Sequence, residues 1–469
     1  MSKFSNLFAA QDMTIGTPWK KIVAFAIPLL IGNIAQQLYN TADSVIVGKY
    51  VGDNALAAVG GCGPTLNLLI VLFVGIATGA SIMVARYFGA RNKEALSHSV
   101  GTCMTLTLLA SLLMMVVGTL LAGPMLRMLG TPAETYDMCV SYMRIYFLGI
   151  AGMGFYNILS GVLRGLGDSL SALKYLILAA LLNILLDLLF VAKFGMAVDG
   201  VAIATVIAQF ISAIFCARKL LSLRDIMHLQ KKHFKLEKSY VTELVHLGLP
   251  SGMSQAVMSC SALVVQSLTN SFGAIFVACN TIVMRVDGFV MMPNFSFGNS
   301  MTTYTGQNIG AGRIDRVEEG VRSGLKLAIG TATFLVLCIL LFGPTLMGFF
   351  TDTESLIQMA TRMMRIVAVG YICVAVNQSL SGVMRGAGDT TTPMWISFFT
   401  TIVVRVPLAY LFAYLTRSAE NPNGNPASIF ASLLCSWCTG ALLTVIAFKR
   451  GKWRTKAHMN RRETTAEAE

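Results

Sequence analysis

Leu159 to Asp168 reads LSGVLRGLGD, and Leu380 to Asp389 reads LSGVMRGAGD, with eight identities in ten positions at an offset of 221 residues. The same offset relates four shorter matches along the chain: Gly52 with Gly273, Gly89–Ala90 with Gly310–Ala311, Arg144–Ile145 with Arg365–Ile366, and Gly149 with Gly370. A single offset shared by separated stretches predicts that the chain contains two copies of one structural repeat, as in many membrane transporters.

The composition places both copies in a membrane. Of the 469 residues, 55% are hydrophobic and only 13% are charged, and the mean hydropathy is +0.66. Soluble proteins carry about 25% charged residues, and a bilayer-spanning helix needs about 20 apolar residues. The apolar runs are long and continuous, whereas the strands of a transmembrane barrel would alternate. The sequence therefore predicts a polytopic helical membrane protein.

The formal net charge of +13 does not indicate a nucleic-acid partner. Most Lys and Arg residues lie in short segments between apolar runs, with no basic face on a folded domain. The ten Cys are scattered, nearly all within apolar runs, which is typical of small core residues and not of a disulfide framework. The only CxxC pair, Cys435 and Cys438, stands alone in the last apolar run, so we expect no metal site there.

Twelve apolar runs are separated by charged, Gly or Pro residues. They lie near 22–47, 55–80, 98–122, 140–162, 170–192, 198–218, 245–270, 276–300, 320–343, 363–384, 392–415 and 428–448. Each repeat holds an even number of spans, so both have the same orientation. We therefore predict an all-α fold of twelve transmembrane helices in two six-helix bundles related by a pseudo-two-fold axis along the membrane normal.

The predicted domains are an N-terminal bundle, a basic cytoplasmic linker, a C-terminal bundle and a cytoplasmic tail, at residues 1–218, 219–244, 245–448 and 449–469. Positive residues are concentrated in alternate gaps between the spans, which include both termini. Because loops rich in Lys and Arg stay in the cytoplasm, we expect a multi-pass protein of the cell membrane with both termini cytoplasmic. No cleavable signal segment is recognised, so the first span is expected to be retained.

Three acidic residues lie at least four residues inside the predicted spans: Asp43, Asp187 and Asp287. Acidic groups at that depth are costly and usually functional. The span directions place Asp43, Asp187 and Thr205 at one depth in the outer half of the N-terminal bundle, and Asn183 shares a helix face with Asp187. Carboxylate, amide and hydroxyl oxygens suit Na⁺. Two adjacent acids could instead carry a proton, or the group could serve only as interhelical hydrogen bonds.

Other polar and soft side chains within the spans are candidates for a substrate cavity. The candidate set is Gln36, Gln37, Asn40, Tyr146, Asn157, Gln255, Asp287 and Met292. Aromatic and Met residues of this kind also occur as plain core or lipid contacts. Arg285 lies two residues before Asp287, and Arg405 is a candidate partner for a structural ion pair with that acid. Pro28 is a candidate hinge in the first span, although it could also be an ordinary entry-turn proline.

Several stretches together resemble the multidrug and toxic compound extrusion (MATE) family. They are TADSVIVGKYVGDNALAAVG from Thr41, RYFGARN from Arg86, LNILLD from Leu182 and GQNIGAG from Gly306. One branch of that family uses an Asp on the first helix, an Asn and an Asp four residues apart on the fifth, and a Thr on the sixth. Those positions match Asp43, Asn183, Asp187 and Thr205, which would also be the ligands of a coupling Na⁺. Another branch carries an acid on its seventh helix, which this sequence lacks.

The resemblance implies a secondary antiporter that exports organic cations or amphipathic compounds in exchange for Na⁺ or H⁺ by alternating access. No cofactor besides the coupling ion is expected, and the two internal bundles suggest a functional monomer. An alternative of the same architecture is a lipid-linked oligosaccharide flippase, which would favour a strongly cationic cavity. The only mid-span Arg residues that we find in the C-terminal half are Arg285 and Arg405. A membrane enzyme would need a convergent His, Ser or metal constellation within the spans, and none is recognised.

Overall fold

The computed structural model describes residues 11–128, 131–419 and 421–455. Residues 1–10 and most of the predicted cytoplasmic tail, from 456 onward, lie outside the described residues. Within the described ranges the regular structure is entirely helical, with no strand. The all-α prediction is confirmed.

The first half of the chain forms seven α-helices. They are α1 (Pro18–Tyr50), α2 (Asp53–Gly89), α3 (Lys93–Met128), α4 (Ala133–Leu148), α5 (Ile150–Gly165), α6 (Ser169–Asp187) and α7 (Val198–Ser222). Helix α6 continues directly into a π-helix, Leu188–Lys193. A 3₁₀ turn, Lys231–Phe234, follows α7 in the segment that leads to the second half.

The second half repeats this order. Its helices are α8 (Lys238–Ser271), α9 (Ala274–Gly310), α10 (Ile314–Gly348), α11 (Glu354–Ala368), α12 (Gly370–Gly386), α13 (Thr391–Phe398), α14 (Val406–Leu415) and α15 (Ala427–Lys449). A π-helix, Phe399–Arg405, joins α13 to α14. The pairs α4–α5 and α11–α12 are bent by 53° and 46° at equivalent places in the two halves.

The described residues form twelve helical spans if each bent pair and each pair joined by a π-helix is counted as one span. This number agrees with the twelve predicted spans. By length and composition, eight of these helical stretches could cross a membrane, or ten if each bent pair is one span.

The chain divides into two compact units. Among the described residues, unit 1 contains 11–12 and 27–252, and unit 2 contains 13–26 and 253–455. The predicted linker 219–244 is thus part of unit 1. Helices α1 and α8 each change unit near a proline, Pro28 and Pro250 respectively. No feature of the sequence indicates that the start of each half belongs to the other unit.

The glycines of the first repeated motif hold α5 against α2 within unit 1. A Cβ atom on Gly161 would lie 2.6 Å from the carbonyl oxygen of Ala77. A Cβ atom on Gly165, one turn later, would lie 2.6 Å from the carbonyl oxygen of Ser81. Both distances are too short for any side chain, so the motif is a backbone contact between two membrane helices, where small residues let helices approach closely.

The second motif makes the same contact within unit 2, between α12 and α9. A Cβ atom on Gly382 would lie 2.3 Å from the oxygen of Gly298, and one on Gly386 would lie 2.4 Å from the oxygen of Thr302. Partner and glycine are each displaced by 221 residues from their equivalents in unit 1. The offset read from the sequence is therefore also an offset between helix contacts.

Each motif ends in a turn that begins the next helix. Gly167 and Gly388 have φ values of 84° and 89°, which favour glycine over any residue with a Cβ atom. The following aspartates cap the next helices. Asp168 accepts a hydrogen bond from the backbone N–H of Ser171 at 2.9 Å, and Asp389 accepts one from Thr392 at 3.3 Å.

Candidate functional site

The four residues predicted to bind the coupling ion come together within unit 1. Asp43 lies on α1, Asn183 and Asp187 lie on α6, and Thr205 lies on α7. Asp187 is fully buried, with 0% of its surface exposed, Asn183 is 1% exposed and Thr205 is 7% exposed. Asp43 is partly exposed and forms the more open side of the cluster.

The amide of Asn183 connects the other three side chains. With its nitrogen toward the acids, it donates to Asp43 Oδ1 at 2.7 Å and to Asp187 Oδ2 at 3.3 Å. Its oxygen then accepts from the backbone N–H and the hydroxyl of Thr205, both at 3.1 Å. In the reversed orientation the nitrogen donates to Thr205 Oγ1 at 3.1 Å and the amide oxygen faces the two carboxyl groups. The choice between them follows from the protonation of the surrounding groups.

The two acids also contact each other. The Asp43 carboxyl group lies against that of Asp187 and near the hydroxyl of Tyr39. Ionised carboxylates are only acceptors, so a hydrogen bond between two carboxyl groups requires a proton on one of them. Asp187 Oδ1 is buried and has no hydrogen-bond partner among the described residues. The pair can therefore hold one proton or share a small cation.

The local backbone explains the position of Asp187. It is the last residue of α6, immediately before the π-helix Leu188–Lys193. A π-turn interrupts the regular hydrogen-bond ladder and is frequent at functional sites. Periodicity in the sequence did not reveal this turn, because π-turns have no apolar pattern of their own.

A narrow cleft in the same unit lies beside Thr205. It is lined by Tyr146, Gly149, Ile150, Met153, Thr205, Val206 and Gln209. Gln209 Oε1 is buried and has no hydrogen-bond partner among the described residues. Tyr146 was a predicted cavity residue and does line this cleft. Asn157, also predicted, instead donates to the carbonyl of Met153 at 2.9 Å, within its own helix.

The remaining predicted cavity residues are distributed over both units. On α1 in unit 1, Gln36 and Asn40 are exposed and Gln37 is partly exposed. On α8 in unit 2, Gln255 is exposed, whereas Met292 on α9 is buried. Whether these residues line one cavity stays a prediction. Pro28 lies inside the continuous helix α1, and its role as a hinge also stays a prediction.

Asp287 has a different partner from the one predicted. Its Oδ1 accepts a hydrogen bond of 2.7 Å from the hydroxyl of Tyr371, a fully buried residue of α12. Arg405, at the end of the second π-helix, attracts the carboxylate electrostatically but forms no ion pair with it among the described residues. Arg285 is exposed. One signal could have identified Tyr371: the first repeat has the apolar Ile150 at the equivalent position.

Comparison with known proteins assigns the chain to a family. The MatE family model matches residues 28–189 and again 250–411, once in each half of the chain. The probable multidrug resistance protein YoeA of Bacillus subtilis is 30% identical over 406 residues, covering 85% of this chain and 88% of that protein. The probable multidrug resistance protein NorM of Thermotoga maritima is 24% identical over 454 residues, covering 94% of each chain.

Solved structures with the same fold cover almost the whole chain. A crystal structure of MATE in complex with MaL6 has a TM-score of 0.88 at 26% identity and covers 97% of this chain and 99% of its own. A MOP superfamily transporter from Pyrococcus furiosus has a TM-score of 0.86 at 25% identity and covers 95% and 98%. The predicted twelve-span fold is confirmed, and the chain acts as a transporter and not as an enzyme. The chain belongs to the MatE family of multi-pass membrane transporters.

Proposed function

We propose that this transporter is a secondary active antiporter that exports organic cations or amphipathic compounds from the cell in exchange for Na⁺ or H⁺ by alternating access. The observation that carries the proposal is the pair of acids Asp43 and Asp187, in mutual contact and joined by Asn183. Relatives named as probable multidrug resistance proteins support the substrate class.

The same four residues could serve either coupling ion. A proton between Asp43 and Asp187 leaves the nitrogen of Asn183 facing the remaining negative charge. A sodium ion between the two acids would instead favour the amide oxygen of Asn183 on that side, because hard cations prefer oxygen ligands. In the sodium form, Thr205 Oγ1 accepts the hydrogen bond of the reversed amide while it donates to Val201 O at 3.0 Å.

Coupling follows from the charge of the two acids. When the site is empty of proton and sodium, its negative charge attracts a cationic substrate. Occupation by either ion neutralises the site and weakens that attraction. Only the difference in ion affinity between two conformations can drive the conformational change, and a few kcal/mol are sufficient. Helix α1 carries Asp43, and Pro28 lies fifteen residues earlier as the proposed hinge.

The arrangement also supports a functional monomer in the cell membrane. All four ion-binding residues belong to one unit of one chain, so the site requires no second copy. The excess of Lys and Arg in alternate loops supports cytoplasmic termini.

Efflux of ethidium from cells that lack their own pumps tests the proposal. We compare the wild type, Asp43→Asn and the exposed control Asp225→Asn, each with Na⁺ present or replaced by choline. We expect efflux from the wild type and the control but not from Asp43→Asn. Loss of wild-type efflux in choline would identify Na⁺ as the coupling ion, and persistence would identify H⁺. Undiminished efflux from a well-expressed Asp43→Asn variant would refute the proposed role of the acids.

A further inference from the structure

The segment between α7 and α8 carries a dense group of basic and apolar side chains that the proposed transport cycle does not use. Residues 231–238 read KKHFKLEK. All four lysines are exposed, and the apolar side chains of Phe234 and Leu236 are 38% and 44% exposed. Exposed apolar residues that alternate with lysines are typical of segments that bind at a membrane surface.

This segment is held firmly against α3. The hydroxyl of Thr105 donates to the carbonyl of Phe234 at 2.9 Å, and the backbone N–H of His228 donates to Ser97 Oγ at 3.1 Å. A Cβ atom on Gly101 would lie 2.1 Å from the carbonyl oxygen of His233, so the two backbones are in direct contact. The imidazole of His233 is buried, with 1% of its surface exposed.

A hydrogen-bond network around the buried imidazole of His233 fixes the turn further. The backbone N–H of Gln230 donates to His233 Nδ1 at 2.9 Å, so the neutral ring carries its proton on Nε2. That nitrogen lies 3.2 Å from Glu94 Oε1, and Lys232 Nζ lies 2.5 Å from the same oxygen. With His98 nearby, the group has the composition of a metal site. Nε2 of His233 already holds a proton, however, and Lys232 already neutralises Glu94.

Three lysines of this segment are not part of the hydrogen-bond network around His233. Lys231, Lys235 and Lys238 form no ion pair with any residue in 11–128, 131–419 or 421–455. They lie within eight residues of one another and flank Phe234 and Leu236. The segment therefore presents three lysines that form no ion pair, together with one exposed acid, Glu237, around two exposed apolar side chains.

Helix α3 gives the depth of the segment in the membrane. Its exposed large apolar side chains begin at Leu108 and end at Met128, and nine of them lie in this stretch. Twenty residues of helix span about 30 Å, the thickness of the hydrocarbon core. Thr105 lies one turn before Leu108, so Phe234, whose carbonyl it binds, lies at the boundary of that core. The lysines are then at the level of the lipid phosphates.

We propose that Lys231, Lys235 and Lys238, together with Phe234 and Leu236, form a binding site for an anionic phospholipid. The lipid belongs to the leaflet on this side of the membrane, which the charge distribution predicts to be cytoplasmic. The lysines bind the phosphate group, and the two apolar side chains contact the upper acyl chains. Each lysine near an anionic surface contributes roughly fivefold to affinity, so three of them give a clear preference for an anionic over a zwitterionic headgroup.

Native mass spectrometry of the purified full-length protein tests the site. Delipidated protein is titrated with dioleoylphosphatidylglycerol or dioleoylphosphatidylcholine. We expect the wild type to bind the anionic lipid at least about tenfold more tightly. The triple variant K231Q/K235Q/K238Q should lose most of this preference. A matched triple, K49Q/K193Q/R417Q, removes the same charge from loops on the opposite predicted side and should retain it.

Two results would overturn the proposal. If K231Q/K235Q/K238Q keeps the preference, the lysines do not bind the lipid. If both triples lose it equally, the preference reflects the overall charge of the protein. A further variant, Phe234→Ser, distinguishes a lipid from a free anion: it should weaken binding of the anionic lipid, and inorganic phosphate should not compete. Effective competition by inorganic phosphate would indicate an anion site without lipid specificity.

Discussion

With its amide nitrogen toward the acids, Asn183 donates to Asp43 Oδ1 at 2.7 Å and thereby joins α6 to α1. The same amide contacts Asp187 on its own helix and Thr205 on α7. One neutral side chain thus connects three helices, and it can present either a donor or an acceptor to the two acids. Its orientation must respond to whichever ion occupies the site, since a carboxylate attracts the nitrogen and a bound cation attracts the oxygen.

Replacing Asn183 by Leu is therefore expected to abolish ion-coupled transport. Leu has a similar volume but offers neither a donor nor an acceptor, so Asp43 loses its 2.7 Å hydrogen bond. We expect the rate of ethidium efflux to fall at least about tenfold, which corresponds to a loss of about 1.4 kcal/mol, the order of a hydrogen bond to a charged group. The control Asn270→Leu, at the exposed end of α8, should retain the wild-type rate. Normal efflux from Asn183→Leu would show that Asn183 contributes only to packing and not to ion coupling.

Asp187→Asn should eliminate the response of the fold to the coupling ion. A ligand that binds only the folded protein raises its stability. If Na⁺ is the ligand, we expect the unfolding temperature of the wild type to rise with added NaCl, relative to choline chloride. If H⁺ is the ligand, we expect it to rise as the pH falls at constant salt. The variant should show neither response, because its buried Oδ1 is no longer part of a titratable carboxyl group. Differential scanning fluorimetry in detergent measures this, and an unchanged response in Asp187→Asn would exclude Asp187 as a ligand.

The sequence predicted that the four side chains of the candidate site lie close together, because depth and helical spacing determine their proximity. The directions of the spans place Asp43, Asp187 and Thr205 at one depth. Asn183 lies four residues before Asp187 and so shares its helix face. Those rules hold for continuous helices, and α1, α6 and α7 are continuous at these residues.

The same rules could not predict features that depend on long-range packing. The hydrogen bond from Tyr371 to Asp287 could not be predicted, because charge alone points to Arg405, whereas Tyr371 lies just after the bend between α11 and α12. The exchange of residues 13–26 into unit 2 was also missed, since apolar periodicity assigns a residue to a helix but not to a unit.

Tyr371→Phe is expected to destabilise unit 2. The substitution removes the hydroxyl that donates to Asp287 Oδ1 at 2.7 Å and leaves this carboxyl group without that donor. Asp287 is only partly exposed, so the loss of this donor should cost about 1 kcal/mol, the low end for an unsatisfied polar group, and should lower the unfolding temperature. The control Tyr414→Phe, whose side chain is largely exposed, should have little effect. If Tyr371→Phe also changes little, the hydrogen bond does not contribute to stability.

The glycines of the two repeated motifs are expected to be intolerant of the smallest side chain. In Gly161→Ala the new methyl group would lie 2.6 Å from the oxygen of Ala77, and in Gly382→Ala it would lie 2.3 Å from the oxygen of Gly298. Because those partners are backbone atoms, the two helices must separate, which costs about 1–3 kcal/mol as for other overpacked sites. We expect each variant to unfold at a lower temperature than the wild type in detergent.

Gly330→Ala is the matched control, since it lies in α10 and nothing in the structure is within 4 Å of its new methyl group. Alanine is favoured over glycine in a helix by about 1 kcal/mol, so this control should leave the unfolding temperature equal or higher. The direction of the change in unfolding temperature thus distinguishes the glycines at helix contacts from Gly330, whose new methyl group contacts no other helix. If Gly161→Ala and Gly382→Ala were as stable as Gly330→Ala, the helices would not be held at backbone contact, and the repeated motif would need another explanation.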